Sequence, residues 1–553
     1  MIDDDLIGRR ALLRAAVIGG AGLAAAPLFP AQAAEPATLS GEDIHLAIGH
    51  SEVVVRGRRG HAVTVNGTLP APLIRLREGQ DVRIHVTNHL DEDTSIHWHG
   101  LLLPFEMDGV PGVSFPGIRP GETFRYAFKV RQSGTYWFHS HSGLQEQQGL
   151  YGPIVIDPVH AHHSNRREHV IVLSDWTFLH PHQLIAQLKK GPGSFNRQRQ
   201  TLTSGTMSAR DRLMWGRMRM DPTDIADVTG SIYTYLVNGR DPAANWTCLF
   251  TPGEPVLLRI VNAAAMTIFN LRIPGLKLTV VAADGQEVVP VTVDELQIGN
   301  AETYDILVEP EDRAYTIVAE TIDRSGMARA SLAPQEGMSA PVPPLRPRPT
   351  LTMRDMGMGG MGDHAGHGGG GHDMRDESKA PPNLQLGPGV DMVAAAPVDR
   401  TGEPGIGLDD VAHRTLTYRD LVAPRDHQDR REPGRTIIVN LTGSMERFMW
   451  SIDGTKFSDA PEPIRLARDE RVRLTMINHT MMTHPMHLHG HFFEIVNGQG
   501  ARQPLKHTVN VLPGATLSID LIADAPGDWA FHCHMLLHMH AGMMRVVTVR
   551  PLS

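Results

Sequence analysis

The residues with the clearest chemistry stand at positions 532 to 543, which read His-Cys-His-Met-Leu-Leu-His-Met-His-Ala-Gly-Met. Cys533 is followed after five residues by His538 and after ten by Met543. Two imidazoles, one thiolate and a weak axial thioether form the ligand set of blue copper sites. The segment therefore holds most of the ligands of a mononuclear copper site.

The two histidines beside Cys533 indicate a second centre. Side chains alternate between the faces of a β-strand, so Cys533 would point one way while His532 and His534 point the other. One short strand could then contact two metal centres and connect them through covalent bonds. Electron transfer between two centres needs such a connection.

Four His-X-His pairs stand in matched positions of the sequence, and on a strand each pair places two imidazoles on one face. The pairs are His97 with His99, His139 with His141, His487 with His489, and His532 with His534. The first and third pairs stand nine and eleven residues after Asn88 and Asn478, whereas the second and fourth stand eighteen and twenty residues after Gly121 and Gly514. A single pair is often just exposed or packed histidine, but four matched pairs argue against coincidence.

The residues from which these offsets are counted belong to a degenerate repeat. Each copy has a turn signal, followed by a strand of alternating polar and apolar residues that ends in asparagine. The three copies of the repeat begin at 65, 237 and 452. In the middle copy, the positions nine and eleven residues after Asn262 hold Leu271 and Ile273 in place of histidines. This copy is therefore expected to bind no metal there and to act as a spacer. The 553 residues are too many for one ordinary domain. Regularly spaced strands predict an all-β fold of Greek-key β-sandwich domains, with possible helices only at 183–190 and 209–220.

Every predicted ligand can be assigned to one of three kinds of site. His484, Cys533, His538 and Met543 would form the mononuclear site. His97 and His487 would hold a single copper. The remaining six histidines would hold a pair of coppers: His99, His139, His141, His489, His532 and His534. The first and third copies must then pack against each other around the cluster, with the middle copy as a brace.

These segments resemble the copper-binding motifs of the three-domain multicopper oxidases, the family of laccases and ascorbate oxidase. The resemblance implies three cupredoxin-like domains in tandem, which we place at residues 40–160, 165–335 and 411–553. It also implies four coppers per chain: one type 1, one type 2 and a type 3 pair. In such enzymes a substrate gives up single electrons at the type 1 site, and the trinuclear cluster reduces dioxygen to water.

The stretches 91–99, 131–139, 214–220 and 481–484 are similar to the bacterial CopA-type copper-resistance oxidases. That branch implies a periplasmic enzyme exported by a twin-arginine signal, and residues 1–34 carry Arg9-Arg10, an apolar run and an Ala31-Gln32-Ala33 cleavage site. A membrane anchor is the alternative, but the run is short and broken by two prolines. We expect a monomer without a stable membrane anchor. The net charge of −9 gives no basic surface for nucleic acid.

Proton supply is also implied by the resemblance. Asp108 matches an acid that family members place near the trinuclear site to assist proton delivery, although a solvent-facing Asp-Gly turn is the alternative. Many bacterial relatives carry an acid directly after the last type 1 histidine. Here that position is Met539, so a second proton donor is missing from the motif.

Residues 336–410 are predicted to form a flexible linker rich in methionine, histidine and glycine. Thioethers select Cu(I), and imidazoles extend this to Cu(II). Candidate ligands for extra copper are Met353, Met356, Met358, Met361, His364, His367, His372 and Met374. An inert, compositionally biased linker is the alternative. A second soft site could be formed by Met214, Met218 and Met220; the alternative is that their helical spacing reflects buried packing. Cys248 is expected to be a small buried hydrophobic residue.

Three functions remain open at this point. The first is an oxidase that uses dioxygen to oxidise Cu(I), with phenols as a secondary substrate class. The second is a general phenol-oxidising laccase in which the methionine tract has no role. The third is a copper-sequestering protein with little turnover, although storage does not need a cysteine joined to two histidine sites.

Overall fold

A computed structural model describes residues 37–159, 166–197, 208, 212–213, 215–216, 220–358 and 375–551. The predicted signal peptide lies outside these residues. So do seven of the predicted soft ligands: Met214, Met218, Met361, His364, His367, His372 and Met374.

The described chain forms six β-sheets, which follow one another as three pairs. The prediction of an all-β fold built from tandem β-sandwiches is confirmed. In the first sandwich the sheet orders are β1-β4-β9-β8-β6 and β3-β2-β5-β7. Its strands are β1 Thr38–Ser40, β2 Asp43–Val55, β3 Arg58–Val65, β4 Leu73–Arg77, β5 Asp81–Asn88, β6 His97–His99, β7 Thr123–Lys129, β8 Gly134–His139 and β9 Tyr151–Asp157.

The second sandwich has the sheet orders β11-β10-β13-β18-β15-β16 and β12-β20-β19-β14-β17. Its elements are β10 Arg167–Trp176, α1 Pro181–Lys190, β11 Thr234–Val237, β12 Thr247–Leu249, β13 Val256–Asn262, β14 Phe269–Arg272, β15 Leu278–Ala283, β16 Gln286–Val293, β17 Glu295–Ile298, β18 Thr303–Val308, β19 Tyr315–Thr321 and β20 Met327–Ala333. Leu271 and Ile273 are buried in its core, as expected for a spacer without ligands at these offsets.

The third sandwich has the sheet orders β23-β22-β25-β30-β27-β28, with β21 added beside β30, and β24-β32-β31-β26-β29. Its elements are β21 Val398–Asp399, β22 Thr436–Ser444, β23 Met449–Ile452, β24 Ile464–Ala467, β25 Arg471–Asn478, β26 His484–Leu488, β27 Phe493–Ile495, β28 Leu505–Lys506, β29 Thr508–Val511, β30 Ala515–Ile522, β31 Gly527–Cys533, α2 Leu536–His540 and β32 Met544–Arg550.

The helices are few. The helix expected at 183–190 is present as α1. Of the one expected at 209–220, residues 212–213 and 215–216 are described and are helical. None of the described helices has the length and apolar composition that crossing a membrane requires.

The internal repeat is visible as one loop structure built three times. Asn88, Asn262 and Asn478 end equivalent strands and are fully buried. In each copy the side-chain amide donates to a carbonyl four or five residues ahead and to one 30 to 36 residues ahead, while Oδ1 accepts from the backbone N–H two residues on. The asparagine therefore sets the shape of the loop that leads to the next strand.

The described parts of the predicted linker, 336–410, lie along the second and third sandwiches and are bonded to them. Arg346 is partly exposed and forms ion pairs with the buried carboxylates of Glu295 and Glu320 of the second sandwich. Arg400 pairs with Asp355, and β21 pairs in parallel with β30 of the third sandwich. Proline and glycine in this stretch fit an extended path over the sandwiches, which ion pairs and strand hydrogen bonds hold in place.

The start of the predicted copper-gathering tract lies against the core. Met356 has no exposed surface and lies in the hydrophobic core, against which Met353 and Met358 pack while half-buried. These three side chains are therefore packed in the folded chain.

His479 fastens the segment before β21 to the third sandwich. Its Nδ1 accepts from Ala394 N at 3.0 Å, and its Nε2 donates to Asn440 Oδ1 at 3.0 Å. Burial lowers the pKa of His479 to about 4. The folded chain therefore holds this imidazole neutral.

Acid should weaken the folded state through His479. The unfolded chain takes up the proton near pH 6.5, whereas the folded chain does so only near pH 4. Stability from this residue is complete above pH 6.5, falls as the pH drops towards 4, and amounts to about 3 kcal/mol. Urea unfolding of wild type and His479→Gln at pH 7.5 and 4.5, in one copper state, should show a smaller loss in the variant. Equal losses would contradict the assignment.

Candidate metal centres

Neighbouring strands bring the histidine pairs together. β6 and β8 are antiparallel neighbours in the first sandwich, with His97 opposite His139. In the third sandwich β26 and β31 are neighbours in the same way, with His487 opposite His532. Each sandwich therefore presents two His-X-His segments side by side.

The predicted ligands collect into groups in which the donor atoms lie within 4.8 Å of one another. The groups are His99 with His139 and His534; His141 with His489 and His532; His97 with His487 and His489; and His484 with Cys533 and His538. The first three groups each combine residues of the first and third sandwiches. The structure thus brings together all ten predicted histidine ligands and Cys533, and His489, assigned by spacing to the copper pair, also lies beside His97 and His487.

Hydrogen bonds at Nδ1 leave the opposite nitrogen of several rings bare. The Nδ1–H groups of His97, His487 and His532 donate to the carbonyl oxygens of Asp108, His507 and Cys533, at 2.8, 2.7 and 3.0 Å. The lone pair of each of these rings is then on Nε2. A histidine ligand is normally oriented in this way.

The bare nitrogens face each other across the cluster. His489 Nε2 lies 3.1 Å from His532 Nε2, and His139 Nε2 lies 3.3 Å from His534 Nε2. Further buried nitrogens have no hydrogen-bond partner among the described residues: His97 Nε2, His487 Nε2, His534 Nδ1 and both nitrogens of His99. Converging lone pairs without donors repel one another, and metal cations satisfy them. The donor set therefore fits copper.

Burial keeps the cluster in the form that binds metal. It lowers the pKa of seven of these histidines below the usual range, and to about 4 for His532. The others lowered in this way are His99, His139, His141, His487, His489 and His534. A neutral imidazole is the form that coordinates a metal ion.

Asp108 is an internal residue and not a solvent-facing turn. It follows a 3-10 turn at Phe105–Met107, and only 1% of its surface is exposed. Its Oδ2 accepts from His489 Nδ1 at 2.9 Å. The next residue must be glycine, since a Cβ on Gly109, at φ +81°, would lie 1.8 Å from the carbonyl oxygen of Ile96. Asp108 thus positions two imidazoles, through its carboxylate and its carbonyl.

Glu146 is a second buried acid at the cluster, and the motifs did not predict it. Its Oε2 accepts from His139 Nδ1 at 2.8 Å, and burial raises the pKa of Glu146 well above its usual range. In the sequence it stands in a Gln-Glu-Gln-Gln run, where nothing distinguishes it from a polar surface turn.

In the mononuclear group the histidine rings are turned the other way, so that Nδ1 and not Nε2 faces the other ligands. Cys533 Sγ lies 3.5 Å from His484 Nδ1 and 3.8 Å from His538 Nδ1. The far nitrogens are engaged, His484 Nε2 with Thr480 Oγ1 and His538 Nε2 with Asp227 Oδ2, both at 2.7 Å. Both Nδ1 atoms are therefore turned towards the thiol.

The mononuclear group is closed off from solvent. Met543 is fully buried, and its carbonyl accepts from Cys533 N at 3.1 Å. The ring of Trp450 stacks on His538 with centroids 3.9 Å apart. Asp227, from the second sandwich, covers the remaining edge of His538. Sequence motifs gave no signal for Trp450 or Asp227, because both reach the site from distant segments.

The chain from His532 to His534 connects the groups. β31 ends at Cys533, so His534 lies just beyond the strand, yet it still meets His99 and His139. His532 belongs to the group with His141 and His489. α2 begins at Leu536 and returns His538 towards Cys533. In the sequence, Cys533 of the mononuclear group is thus directly preceded and directly followed by a histidine, and each of these histidines belongs to a separate histidine group.

Comparison with known proteins agrees with this architecture. Multicopper oxidase family models match residues 47–161, 167–337 and 430–553. The chain is 48% identical to the copper resistance protein A of Escherichia coli, with 93% of each chain covered. It is 46% identical to the copper resistance protein A homolog of Pseudomonas syringae pv. tomato, with 98% of each covered.

Among solved structures, the fold is similar to the crystal structure of a laccase from Botrytis aclada. The TM-score is 0.63 at 23% identity, over 93% of this chain and 88% of that one. The predicted cupredoxin-like sandwiches are confirmed. The chain therefore belongs to the multicopper oxidase family, as a copper-containing oxidoreductase of the branch that includes the bacterial copper resistance A proteins.

Proposed function

We propose that this chain is a periplasmic oxidase that takes electrons from Cu(I), and secondarily from phenols, to reduce dioxygen to water. The observation that carries the proposal is the position of Cys533 between His532 and His534, with each of the three side chains in a different group. Four Cu(I) ions would each lose one electron, and dioxygen would take up four electrons and four protons to give two water molecules.

The ligands proposed are those predicted from spacing, for one type 1, one type 2 and a pair of type 3 coppers. Bound copper supplies one-electron uptake at the Cys533 group and four-electron delivery to dioxygen at the histidine groups. The chain's part is to hold the donors, exclude water and connect the groups. Cys533 does the last of these, since its backbone continues directly into both flanking histidines.

The enclosure of His538 supports a small ionic substrate. Its ring is fully buried, with Trp450 on one face and Asp227 at its outer edge. A phenol would need to reach that edge to contact the ring. The Asp227 carboxyl group covers it, and carboxyl oxygens are suited to metal cations. Cu(I) is therefore favoured over a phenol as the principal reductant.

The biological role follows from the relatives and the predicted export signal. The proteins at 46 to 48% identity are named for copper resistance, and oxidation of Cu(I) in the periplasm would serve that role. Sequestration alone is less well supported, because a pure store has no use for a cysteine joined to two buried histidine groups.

Replacing Cys533 should abolish the enzyme's colour and turnover together. In Cys533→Ser the type 1 site loses its thiolate, so the blue absorbance and dioxygen consumption with Cu(I) should both fall to background. Cys248→Ala is the matched control, since Cys248 is also fully buried but lies in β12, outside the ligand groups. Cu(I)-dependent dioxygen consumption by Cys533→Ser would overturn the mechanism.

Deleting residues 359–374 tests the methionine tract without disturbing Met353, Met356 and Met358, which are packed. Loss of Cu(I) oxidation with unchanged phenol oxidation is expected if the tract delivers copper ions. Rates are to be measured on both substrates with one preparation. Unchanged rates on both would make the tract an inert linker.

Asp108 is proposed both to hold imidazoles and to assist proton delivery. Asp108→Ala should weaken copper binding at the histidine groups by about 10- to 100-fold, because His489 loses its hydrogen-bond acceptor. Asp108→Asn retains an acceptor oxygen and should keep its copper, but kcat should fall about 100-fold if the acid supplies protons. Copper content and dioxygen consumption are the measurements, and Asp91→Ala, at an exposed aspartate, is the control. Full turnover by Asp108→Asn would leave Asp108 a positioning residue only.

A further inference from the structure

The helix that carries His538 has no cap of its own. α2 has only five residues, and Met535 before it makes no capping hydrogen bond with its side chain. The amides of His538 and Met539 donate to the Met535 carbonyl, at 2.9 and 3.0 Å. The N–H groups of Leu536 and Leu537 stand too early in the helix for an acceptor within it. Because so short a helix has little stability of its own, the position of His538 depends on what these two amides meet.

The second sandwich provides acceptors for both amides. The Ala265 carbonyl accepts from Leu536 N at 2.9 Å, and Met266 Sδ accepts from Leu537 N at 3.3 Å. Both Ala265 and Met266 are buried, so these contacts lie in the protein interior. A thioether is a weak acceptor, but leaving a buried amide without any partner costs more. α2 is therefore capped by a different sandwich from the one to which it belongs.

The capping loop is the middle copy's counterpart of the loops that present histidine. It follows the strand-ending Asn262, and the corresponding loops after Asn88 and Asn478 lead to His97 and His487. No predicted ligand stands in the sequence of the middle loop. This loop instead supports the helix that carries a ligand in the third sandwich.

Asp175 fixes the shape of the capping loop. It lies in β10 and is buried. Its carboxyl oxygens accept from the N–H groups of Ala265 and Met266 at 3.1 and 3.0 Å, and from Thr267 Oγ1 at 2.7 Å. The side-chain amide of Asn262 donates to the Thr267 carbonyl at 3.0 Å. The two acceptors for α2 are thus held from within the second sandwich, independently of the metal ligands.

We propose that Met266 is a positioning residue of the type 1 centre, whose sulfur helps to hold α2 and with it the ring of His538. Nδ1 of this ring lies 3.8 Å from Cys533 Sγ, so a shift of α2 moves one proposed ligand relative to another. Asp227, also of the second sandwich, accepts from the opposite ring nitrogen at 2.7 Å. The second sandwich therefore fixes His538 through the backbone as well as through the side chain. The inference rests on the proposed type 1 site.

Plain packing is the alternative, because Met266 also belongs to the hydrophobic core. The two roles differ in which side chains can replace methionine. Leucine keeps the apolar bulk and removes the acceptor, so a packing position tolerates it, whereas an acceptor for Leu537 N is lost. Glutamine carries a carbonyl oxygen on a side chain of similar length, which can accept from that amide again.

Hydrogen exchange tests the contact itself. In the copper-loaded wild-type chain the amides of Leu536 and Leu537 should both exchange slowly. In Met266→Leu the Leu537 amide should exchange about five-fold faster, which corresponds to the loss of one hydrogen bond. Mass spectrometry with fragmentation to single residues measures both rates. Exchange of Leu537 in the wild type at the rate of an unstructured peptide would overturn the proposal, and this measurement decides even if the variant fails to fold.

The second test follows the type 1 copper. In Met266→Leu its EPR hyperfine splitting should change, and a Cu(I) chelator should remove the metal ion from the reduced enzyme about five-fold faster than from the wild type. Met266→Gln should restore both properties towards the wild type. Met476→Leu is the matched control, since Met476 is fully buried in β25 and loses a thioether in the same way. The control should keep the wild-type signal and rate.

An EPR signal and a removal rate in Met266→Leu that match those of the wild type would overturn the inference, and so would an equal change in Met476→Leu. Failure of the proposed function gives a different result, in which the copper-loaded wild-type chain itself shows no blue absorbance or consumes no dioxygen with Cu(I).

Discussion

Converging lone pairs inside a closed protein interior are the constraint on which the rest of this structure depends. Imidazole nitrogens of His489 and His532 face each other at 3.1 Å, and those of His139 and His534 at 3.3 Å, and a metal cation would satisfy their lone pairs. The second of these contacts joins the first sandwich to the third, so neither sandwich alone could create it. The interface between them has to be rigid, because a displacement of about one ångström would spoil the geometry of the histidine groups that both sandwiches build.

The middle sandwich has a larger part than that of a spacer. Its core is apolar at the positions where the other two carry histidine, as the offsets predict. It nevertheless contributes Asp227 to the outer edge of His538 and Asp284 to the backbone beside His507. Asp227 accepts a hydrogen bond from the ring of His538, and Asp284 accepts one from the backbone N–H of His507, which lies next to His99 and His487. The second sandwich thus orients parts of both centres without supplying a predicted ligand to either.

Local and repeated features could be predicted from the sequence, whereas long-range ones could not. The His-X-His spacing, the strand-ending asparagines and the apolar middle copy are sufficient for the fold class, and the spacing singles out ten histidines that lie close together. Glu146, Asp227 and His507 each approach the site as a single residue from a loop or strand end, with no periodicity to mark them. Composition alone indicates a flexible linker, and it carries no signal for the ion pairs of Arg346 and Arg400, whose partners are remote in sequence. The short helix α2 has too few residues for a pattern.

The strand-ending asparagines bear on how the enzyme is assembled. Asn262 makes the same set of hydrogen bonds as Asn88 and Asn478, although its loop leads to no metal ligand. The loops that present histidine are therefore shaped by the polypeptide itself. In small zinc domains the ion drives folding, because the site does not exist without it. Here the loops carry their own hydrogen bonds, so their shape does not depend on a bound metal ion.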